Sequence, residues 1–364
     1  MDRRSFLRSS LAATTLVALS GHGALAGETS GYVTTCRRPD GRFAVAVLRR
    51  DGSILFDEPI DHRCHDMAVA PAATPASGTV ALFGRRPGRF ALVVDLGRRR
   101  VTHTILAAEG RHFYGHGFFS PDGRLLYATE NAYDEEAGVL GVYDVAAGYS
   151  RIGELQTAGI GPHEAILMAD GRTIAVANGG ILTHPDFGRR ELNIATMAPS
   201  LAYIDRKTGD LIDKAELPAD RHQLSIRHIG VDRFGAVWFG CQYLGPAADG
   251  TPLIGRHRQG EAPTLTQAPD KVVHGLHNYI GAVAANRSGT RIAATSPRGG
   301  ALVVFDAASG DFVERIPLAD TCGLAPAFAD DFVFSNGLGE LAEGEGILAR
   351  HDGYAWDNHM RAIG

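Results

Sequence analysis

The sequence predicts an all-β protein, a seven-bladed β-propeller made of four-stranded antiparallel blades. Three observations support this prediction. Glycine is frequent, with 45 among 364 residues, and segments with a helical period are scarce, as is typical of turn-rich β proteins. Similar strand–turn–strand units recur along the chain, and histidine recurs at one place in the unit. A single β-sandwich is the alternative, but it accounts less well for the repetition.

The repeated unit contains an apolar strand that ends in aspartate, a short turn and a second, alternating strand. The aspartate can accept hydrogen bonds from N–H groups of the turn and so fix the hairpin. The clearest copies are ALVVDLGRRRVTHTI (91–105), GVYDVAAGYSRIGEL (141–155), LAYIDRKTGDLIDKAEL (201–217) and LVVFDAASGDFVERIPL (302–318). Another turn and apolar strand precede each copy, so one unit contains four short antiparallel strands, which is a propeller blade.

Seven such units can be counted, of which the first and the last are irregular. They lie at about 40–60, 64–107, 116–156, 163–217, 228–268, 279–318 and 322–363. We expect the segment GYVTTCR (31–37) to complete a blade with the C-terminal strands and thereby close the ring.

Residues 1–26 are predicted to be a twin-arginine signal peptide, and residues 27–364 a single propeller domain. An arginine pair at 3–4 precedes Ser-Phe-Leu, an apolar stretch covers 11–19, and small residues at 24–26 suit cleavage. The apolar stretch is short for a membrane span, and no cysteine follows it for lipid attachment. The chain is therefore expected in the periplasm, with no membrane anchor after cleavage.

Charge and short motifs exclude several classes of function. The net charge is −5, and no basic tract or basic–aromatic stripe indicates nucleic-acid binding. The sequence contains no GxSxG elbow, no P-loop, no dinucleotide-binding GxGxxG in a strand–helix context and no CxxCH haem motif. An enzyme with this sequence would depend on a metal or on a His/Glu acid–base pair.

The sequence does not determine the role of the four cysteines. They are even in number, which permits disulfides in an exported protein, but no CxxC motif is present and the sequence does not determine a pairing.

Four histidines stand just before short apolar runs at the predicted starts of the innermost strands: His65, His116, His163 and His228. Innermost strands line the channel of a propeller, so these imidazoles should converge, as at a transition-metal site. Glu130, Glu164 and Cys322 are expected to complete this metal site or to orient its imidazoles. Iron, copper and zinc all suit such ligands. A polar channel that holds water or an organic ligand is the alternative.

The ends of the second strands should meet the same mouth of the channel, and two long insertions, 179–200 and 241–260, leave from these ends and should cover it. Residues on these segments, or on the approach to His228, are predicted to contact a bound cofactor: Asn131, Asn178, His184, His222, Cys241 and Arg298. His274 and His277 have helical spacing but are expected on a surface turn. No role is assigned to His103, His257, His351 and His359.

Long segments resemble a bacterial family of unassigned function. These are GHGFFSPDGRLLYATEN, GIGPHEAILMADGRTIAVANGGILTHPDFGRRELN, APSLAYID, HQLSIRHI, FGCQY and SPRGG. The resemblance implies twin-arginine export and a seven-bladed propeller. Members of that family are often encoded beside imelysin-like periplasmic iron-uptake proteins and di-haem oxidoreductases, which implies a role in iron handling with periplasmic uptake or redox partners. The matches fall on His116, His163, Glu164, Asn178, His184, His222, His228 and Cys241.

The sequence thus favours a periplasmic protein that binds or handles a transition metal, with iron expected. Two other functions remain open: a metal-dependent oxidase or hydrolase acting on a small molecule, and a docking scaffold that binds no ligand. A catalytic metal would keep an open coordination position, whereas a scaffold would expose a binding patch.

Overall fold

The computed structural model describes residues 30–85, 88–188 and 190–364, and the predicted signal peptide lies outside the described residues. The described residues form seven four-stranded antiparallel sheets, which confirms the predicted seven-bladed propeller. Each innermost strand contacts the innermost strands of the two neighbouring blades, so the seven form a closed ring around a central channel. No helix in these ranges is long and apolar enough to cross a membrane.

The blades are numbered in chain order, with the strands of each blade ordered from the innermost to the outermost. Blade 1 contains β28 (Ala355–Ile363), β1 (Gly31–Arg37), β2 (Phe43–Arg49) and β3 (Ile54–Ile60). Blade 2 contains β4 (Cys64–Val69), β5 (Thr79–Gly84), β6 (Phe90–Asp95) and β7 (Arg100–Leu106). Blade 3 contains β8 (Arg111–Phe119), β9 (Leu125–Ala132), β10 (Ala137–Asp144) and β11 (Ser150–Gln156). Blade 4 contains β12 (Pro162–Leu167), β13 (Thr173–Asn178), β14 (Ser200–Asp205) and β15 (Leu211–Glu216).

The remaining three blades follow the same order. Blade 5 contains β16 (Leu224–Val231), β17 (Val237–Tyr243), β18 (Ile254–His257) and β19 (Thr264–Leu265). Blade 6 contains β20 (Ala282–Ala285), β21 (Arg291–Ser296), β22 (Ala301–Asp306) and β23 (Phe312–Pro317). Blade 7 contains β24 (Thr321–Pro326), β25 (Phe332–Asn336), β26 (Glu340–Glu343) and β27 (Gly346–Arg350).

Among the described residues, helical structure is confined to connections between strands. One α-helix, α1 (Asp270–Gly275), lies between blades 5 and 6. Single turns of 3₁₀ helix are found at Tyr133–Glu135, Pro185–Phe187, Ile194–Thr196, Ala219–Arg221 and Ala247–Asp249.

Blade 1 joins the two ends of the described chain. Strand β1 pairs with β2 on one side and with β28 on the other, as expected for residues 31–37. The last predicted unit, 322–363, was too long, because blade 7 ends with β27 and the strand after it belongs to blade 1. The innermost strand of blade 1 is therefore the last strand of the chain.

The predicted aspartate turns are confirmed. A carboxylate oxygen of each aspartate accepts a hydrogen bond from a turn N–H two or three residues later, at 2.8–3.0 Å, for Asp95, Asp144, Asp205 and Asp306. These bonds satisfy turn donors that the sheet ladder leaves free.

The hydrophobic core is divided among the interfaces between blades. Alternate residues of the strands face the neighbouring blade, so the buried side chains form several clusters instead of one. In the largest cluster, Trp238 of blade 5 is fully buried and its ring centroid lies 6.1 Å from that of Phe305 in blade 6. The channel itself is left to polar side chains.

Candidate metal centre

Five histidines enter the channel from the innermost strands of blades 1 to 5. In each of these strands the pairing with the second strand is interrupted by a register shift at or beside the histidine. A bulge of this kind turns a side chain out of the regular alternation of a strand. The five residues are His65, His116, His163, His228 and His359.

The five imidazoles form one compact cluster. His116 lies in the middle, with ring centroids 4.8 Å from His163 and His359, 4.9 Å from His65 and 5.5 Å from His228. Two sets of three have ligand nitrogens that all lie within 4.8 Å of one another, and both contain His116. The predicted convergence of His65, His116, His163 and His228 is therefore present, and a fifth imidazole joins it.

Most of these imidazoles have a ring nitrogen with no hydrogen-bond partner in the protein. The nitrogens are Nδ1 of His65 and His163 and Nε2 of His116 and His359, and all are buried. A buried polar atom normally has a partner, because leaving it unpaired costs about 1–3 kcal/mol. Four such atoms within one cluster are thus available for a partner that the protein itself does not supply.

Two carboxylates and one arginine lie against the imidazole cluster. Nδ1 of His116 lies 2.8 Å from Asp66 and 3.9 Å from Glu164, and Nδ1 of His228 lies 3.3 Å from Glu164. The guanidinium of Arg361 donates to Asp66 and, at 3.2 Å, to Glu164. A carboxylate that binds one ring nitrogen fixes the orientation of the imidazole and leaves the other nitrogen available.

Burial and charge set the protonation of the cluster. Burial lowers the pKa of His65, His163 and His359 well below the usual value, and burial also lowers the pKa of His228. The lone pair of a neutral imidazole is the form that binds metals. Burial alone would raise the pKa of Glu164, but His116, His228 and Arg361 bring it down to about 2, so it stays ionised.

The lowered pKa values predict a stability that depends on pH. In the unfolded chain these histidines take up protons near pH 6.5, whereas in the folded protein they do so only at lower pH. The unfolded state therefore binds more protons as the pH falls, and the free energy of unfolding should decrease from pH 7.5 to pH 5. Each imidazole contributes a slope of about 1.4 kcal/mol per pH unit at most.

Urea unfolding of chelator-treated protein at several pH values measures this effect. A His359→Gln variant, which lacks one of the titrating groups, should show a shallower slope than the parent. Equal slopes for the two proteins, or a stability that does not change over this pH range, would contradict the prediction.

The close packing of the imidazole cluster requires a glycine at position 115, directly before His116. Its φ is +106°, and a Cβ at this position would lie 2.6 Å from Cδ2 of His65. Only glycine combines this backbone conformation with so close an approach of an imidazole. The absence of a side chain at Gly115 therefore allows both the bulge at His116 and the position of His65.

We expect Gly115→Ala to lower the free energy of unfolding by about 2 kcal/mol, from backbone strain and the displacement of His65. Gly153→Ala in β11 is the matched control, because no neighbouring atom lies within 4 Å of its added Cβ and its φ is not positive. Urea unfolding of the two variants measures the difference. Equal stability would show that the cluster tolerates a side chain at position 115.

Glu130 and Cys322, both predicted beside the metal, have other partners. Glu130 accepts hydrogen bonds from Tyr143 and, at 3.0 Å, from Arg151, because it faces the third strand of its own blade instead of the channel. The thiol of Cys322 donates to the carbonyl oxygens of Trp356 and Asp357, and burial raises its pKa to about 12. Neither belongs to a group of close ligand atoms among the described residues.

The residues predicted to contact a cofactor are scattered. Asn131 donates to the carbonyl oxygen of Thr183, and Asn178 donates to that of Thr157, so both hold loops in place. His184 caps the 3₁₀ turn at Pro185–Phe187, and His222 is half-buried at the end of the turn at Ala219–Arg221. Two further residues complete the set.

Cys241 is buried in the core between blades 4, 5 and 6. Arg298 alone of the predicted cofactor set lines the mouth of the channel. All four cysteines are buried free thiols. His274 and His277 are exposed as expected, but only His277 lies on a turn, because His274 belongs to α1.

His359, Asp66 and Arg361 were missed by the sequence analysis. A sequence signal for His359 was present. In HMRAI, as in HDMAV after His65, the histidine precedes a short, mostly apolar segment that contains one charged residue. This signal was not recognised because residues 355–363 were counted as an outer strand of the last unit. Once they form an innermost strand, His359 is equivalent to the other four histidines.

A cavity of about 590 Å³ lies at the mouth where the innermost strands begin. It is bordered by blades 6, 7, 1 and 2, and its lining includes Arg37, Arg63, Arg85, Tyr279, Arg298, Asp320, Cys322, Trp356, Asp357 and Asn358. Starts of innermost strands and ends of second strands meet here, as predicted for the mouth. We call this cavity the arginine funnel.

Comparison with known proteins establishes the family but no activity. The β-propeller fold is shared with a solved structure of Kuenenia stuttgartiensis hydrazine synthase, with a TM-score of 0.62, 14% sequence identity, and coverage of 92% of this chain and 99% of that chain. At that identity the similarity concerns the fold alone. No curated protein is significantly similar. The model of the family described as "Protein of unknown function (DUF1513)" matches residues 58–363, and the chain therefore belongs to this family.

Proposed function

We propose that this protein binds a transition-metal ion, iron in its physiological state, in the imidazole cluster of the propeller channel, and that it handles this metal in the periplasm. The observation that carries the proposal is the set of four unpartnered, buried ring nitrogens within one five-histidine cluster. Imidazole nitrogens with nearby carboxylates form a ligand set that suits iron, copper and zinc.

The charge of the site supports a cation. Asp66 and Glu164 are ionised and buried, and Arg361 supplies one positive charge against their two negative charges. The two carboxylates and the arginine together leave one negative charge, which a metal cation would neutralise. His116 is hydrogen-bonded to Asp66, the arrangement that orients metal-binding imidazoles.

The donor atoms favour iron over a thiolate-bound metal. All four thiols are buried, and burial raises the pKa of each, so none offers a thiolate at neutral pH. The association with iron-uptake genes that the family resemblance implies points the same way. Export by the twin-arginine route would allow the metal to be inserted before the folded protein crosses the membrane.

The decisive experiment is the metal content of protein purified from the periplasm without added metal, measured by mass spectrometry. We expect about one iron ion per chain. The variant His65→Ala/His359→Ala should lose it, whereas the matched double variant His274→Ala/His277→Ala, which removes two exposed histidines, should retain it. Equal metal content in the two double variants would refute the proposal, and stoichiometric copper or zinc would replace iron as the metal.

A further inference from the structure

The arginine funnel has the character of a second binding site beside the imidazole cluster. We propose that it binds a small organic anion with two or more carboxylate groups, at the channel mouth beside the proposed metal site. This inference rests on the proposed metal site, since it names the molecule that would accompany the metal.

Positive charge dominates the lining of the funnel. Four arginines face two aspartates, and one of these pairs is already formed: Arg63 donates to Asp357 at 2.9 and 2.7 Å. Arg37 and Arg298 are both exposed, and neither is bonded to a carboxylate of the described residues. The guanidinium of Arg298 lies 4.6 Å from the centroid of the Tyr279 ring, which positions it without neutralising it.

The volume of the funnel favours an organic anion over a single inorganic ion. A volume of about 590 Å³ falls within the range of pockets that bind small organic molecules, and far exceeds the volume of one inorganic ion. The arginines come from three blades, with Arg37 in blade 1, Arg63 and Arg85 in blade 2, and Arg298 in blade 6. Arginine pairs with carboxylates through two parallel hydrogen bonds, so cations spread in this way fit several carboxylates on one molecule.

The funnel is lined by residues that lie close in sequence to two histidines of the imidazole cluster. Arg63 precedes His65 by two residues, and Asn358 directly precedes His359. Blades 6 and 7, which border the funnel, contribute no histidine to the cluster, and their innermost strands have small residues such as Ala282 and Gly323. The funnel and the cluster therefore share the strands of blades 1 and 2, while blades 6 and 7 contribute to the funnel alone.

The test is citrate binding to the full-length, metal-free protein, measured by isothermal titration calorimetry. Removing two charge-assisted partners in the variant Arg37→Ala/Arg298→Ala should weaken binding by about a hundredfold, or about tenfold for each arginine. The matched control is Arg100→Ala/Arg258→Ala, which removes two exposed arginines that do not line the funnel and should bind citrate like the parent.

Each outcome separates this inference from the proposed metal site. Absence of saturable citrate binding, or equal binding by both double variants, overturns the funnel inference even when the protein contains stoichiometric metal. Phosphate bound as tightly as citrate overturns the assignment to a polycarboxylate. Citrate binding by a protein whose metal content does not depend on His65 and His359 refutes the metal site and leaves the anion site in place.

Discussion

Replacing His116 with alanine is expected to lower the affinity for the metal by at least about a hundredfold, more than any other single substitution in the cluster. His116 belongs to all three groups of close ligand atoms, and among the described residues its ring alone lies within 5.5 Å of the other four. Its loss would remove the imidazole that both sets of three close ligand nitrogens share. Competition against a chromophoric chelator measures the affinity.

A second variant distinguishes the loss of a metal ligand from a loss of folded structure. Asp66→Asn retains the imidazole and removes only the charge that orients it, so its affinity should fall by about tenfold. Far-ultraviolet circular dichroism of both variants should match the parent, because the blades pack through their own apolar clusters. A His116→Ala protein that binds metal as tightly as the parent would exclude the cluster as the metal site.

Replacing Arg361 with methionine should destabilise the metal-free protein by about 3 kcal/mol. The side chain of Arg361 is 33% exposed, but its partners Asp66 and Glu164 are only 1% and 4% exposed, so removing the guanidinium leaves two buried carboxylates without their cation. Urea unfolding at pH 7.5 measures the loss. A bound cation would replace part of the missing charge, so the loss should be smaller in metal-loaded protein.

Arg42→Met is the matched control for Arg361→Met. Arg42 pairs with Asp40 at 2.8 Å, but the two side chains are 62% and 40% exposed, and exposed pairs contribute less than about 1 kcal/mol. Similar losses in the two variants would show that Asp66 and Glu164 do not depend on Arg361.

The fold was predictable because its evidence is repeated along the sequence. Four aspartate turns and four histidines at equivalent places indicate a ring of similar blades, and a repeat remains visible when any one copy is irregular. The structure confirms the number of blades and strands. Blade 1 could be counted only in part, since it combines strands from both ends of the described chain.

The site was less predictable, for two physical reasons. Equivalence between repeats identifies residues on innermost strands. It fails for β28, because its sheet partner β1 and its neighbour β4 lie about 300 residues away in sequence. The ends of second strands were expected to point into the channel, yet Glu130 and Asn131 alternate between the two faces of their sheet and bond to neighbouring segments. The periodicity of the sequence identifies which residues form a strand. The direction of a side chain at a bulge or at a strand end depends on tertiary contacts.

The position of β28 makes completion of the ring and of the imidazole cluster depend on the same strand. During synthesis the ribosome makes the histidines of blades 2 to 5 long before His359 and Arg361, which both lie on β28. A nascent chain therefore has Asp66 and Glu164 without the cation that balances them, and its ring is open. One strand supplies the closure, the fifth imidazole and the balancing charge together. In the proposed metal site, the full set of ligands and charges can therefore form only after β28 has been synthesised.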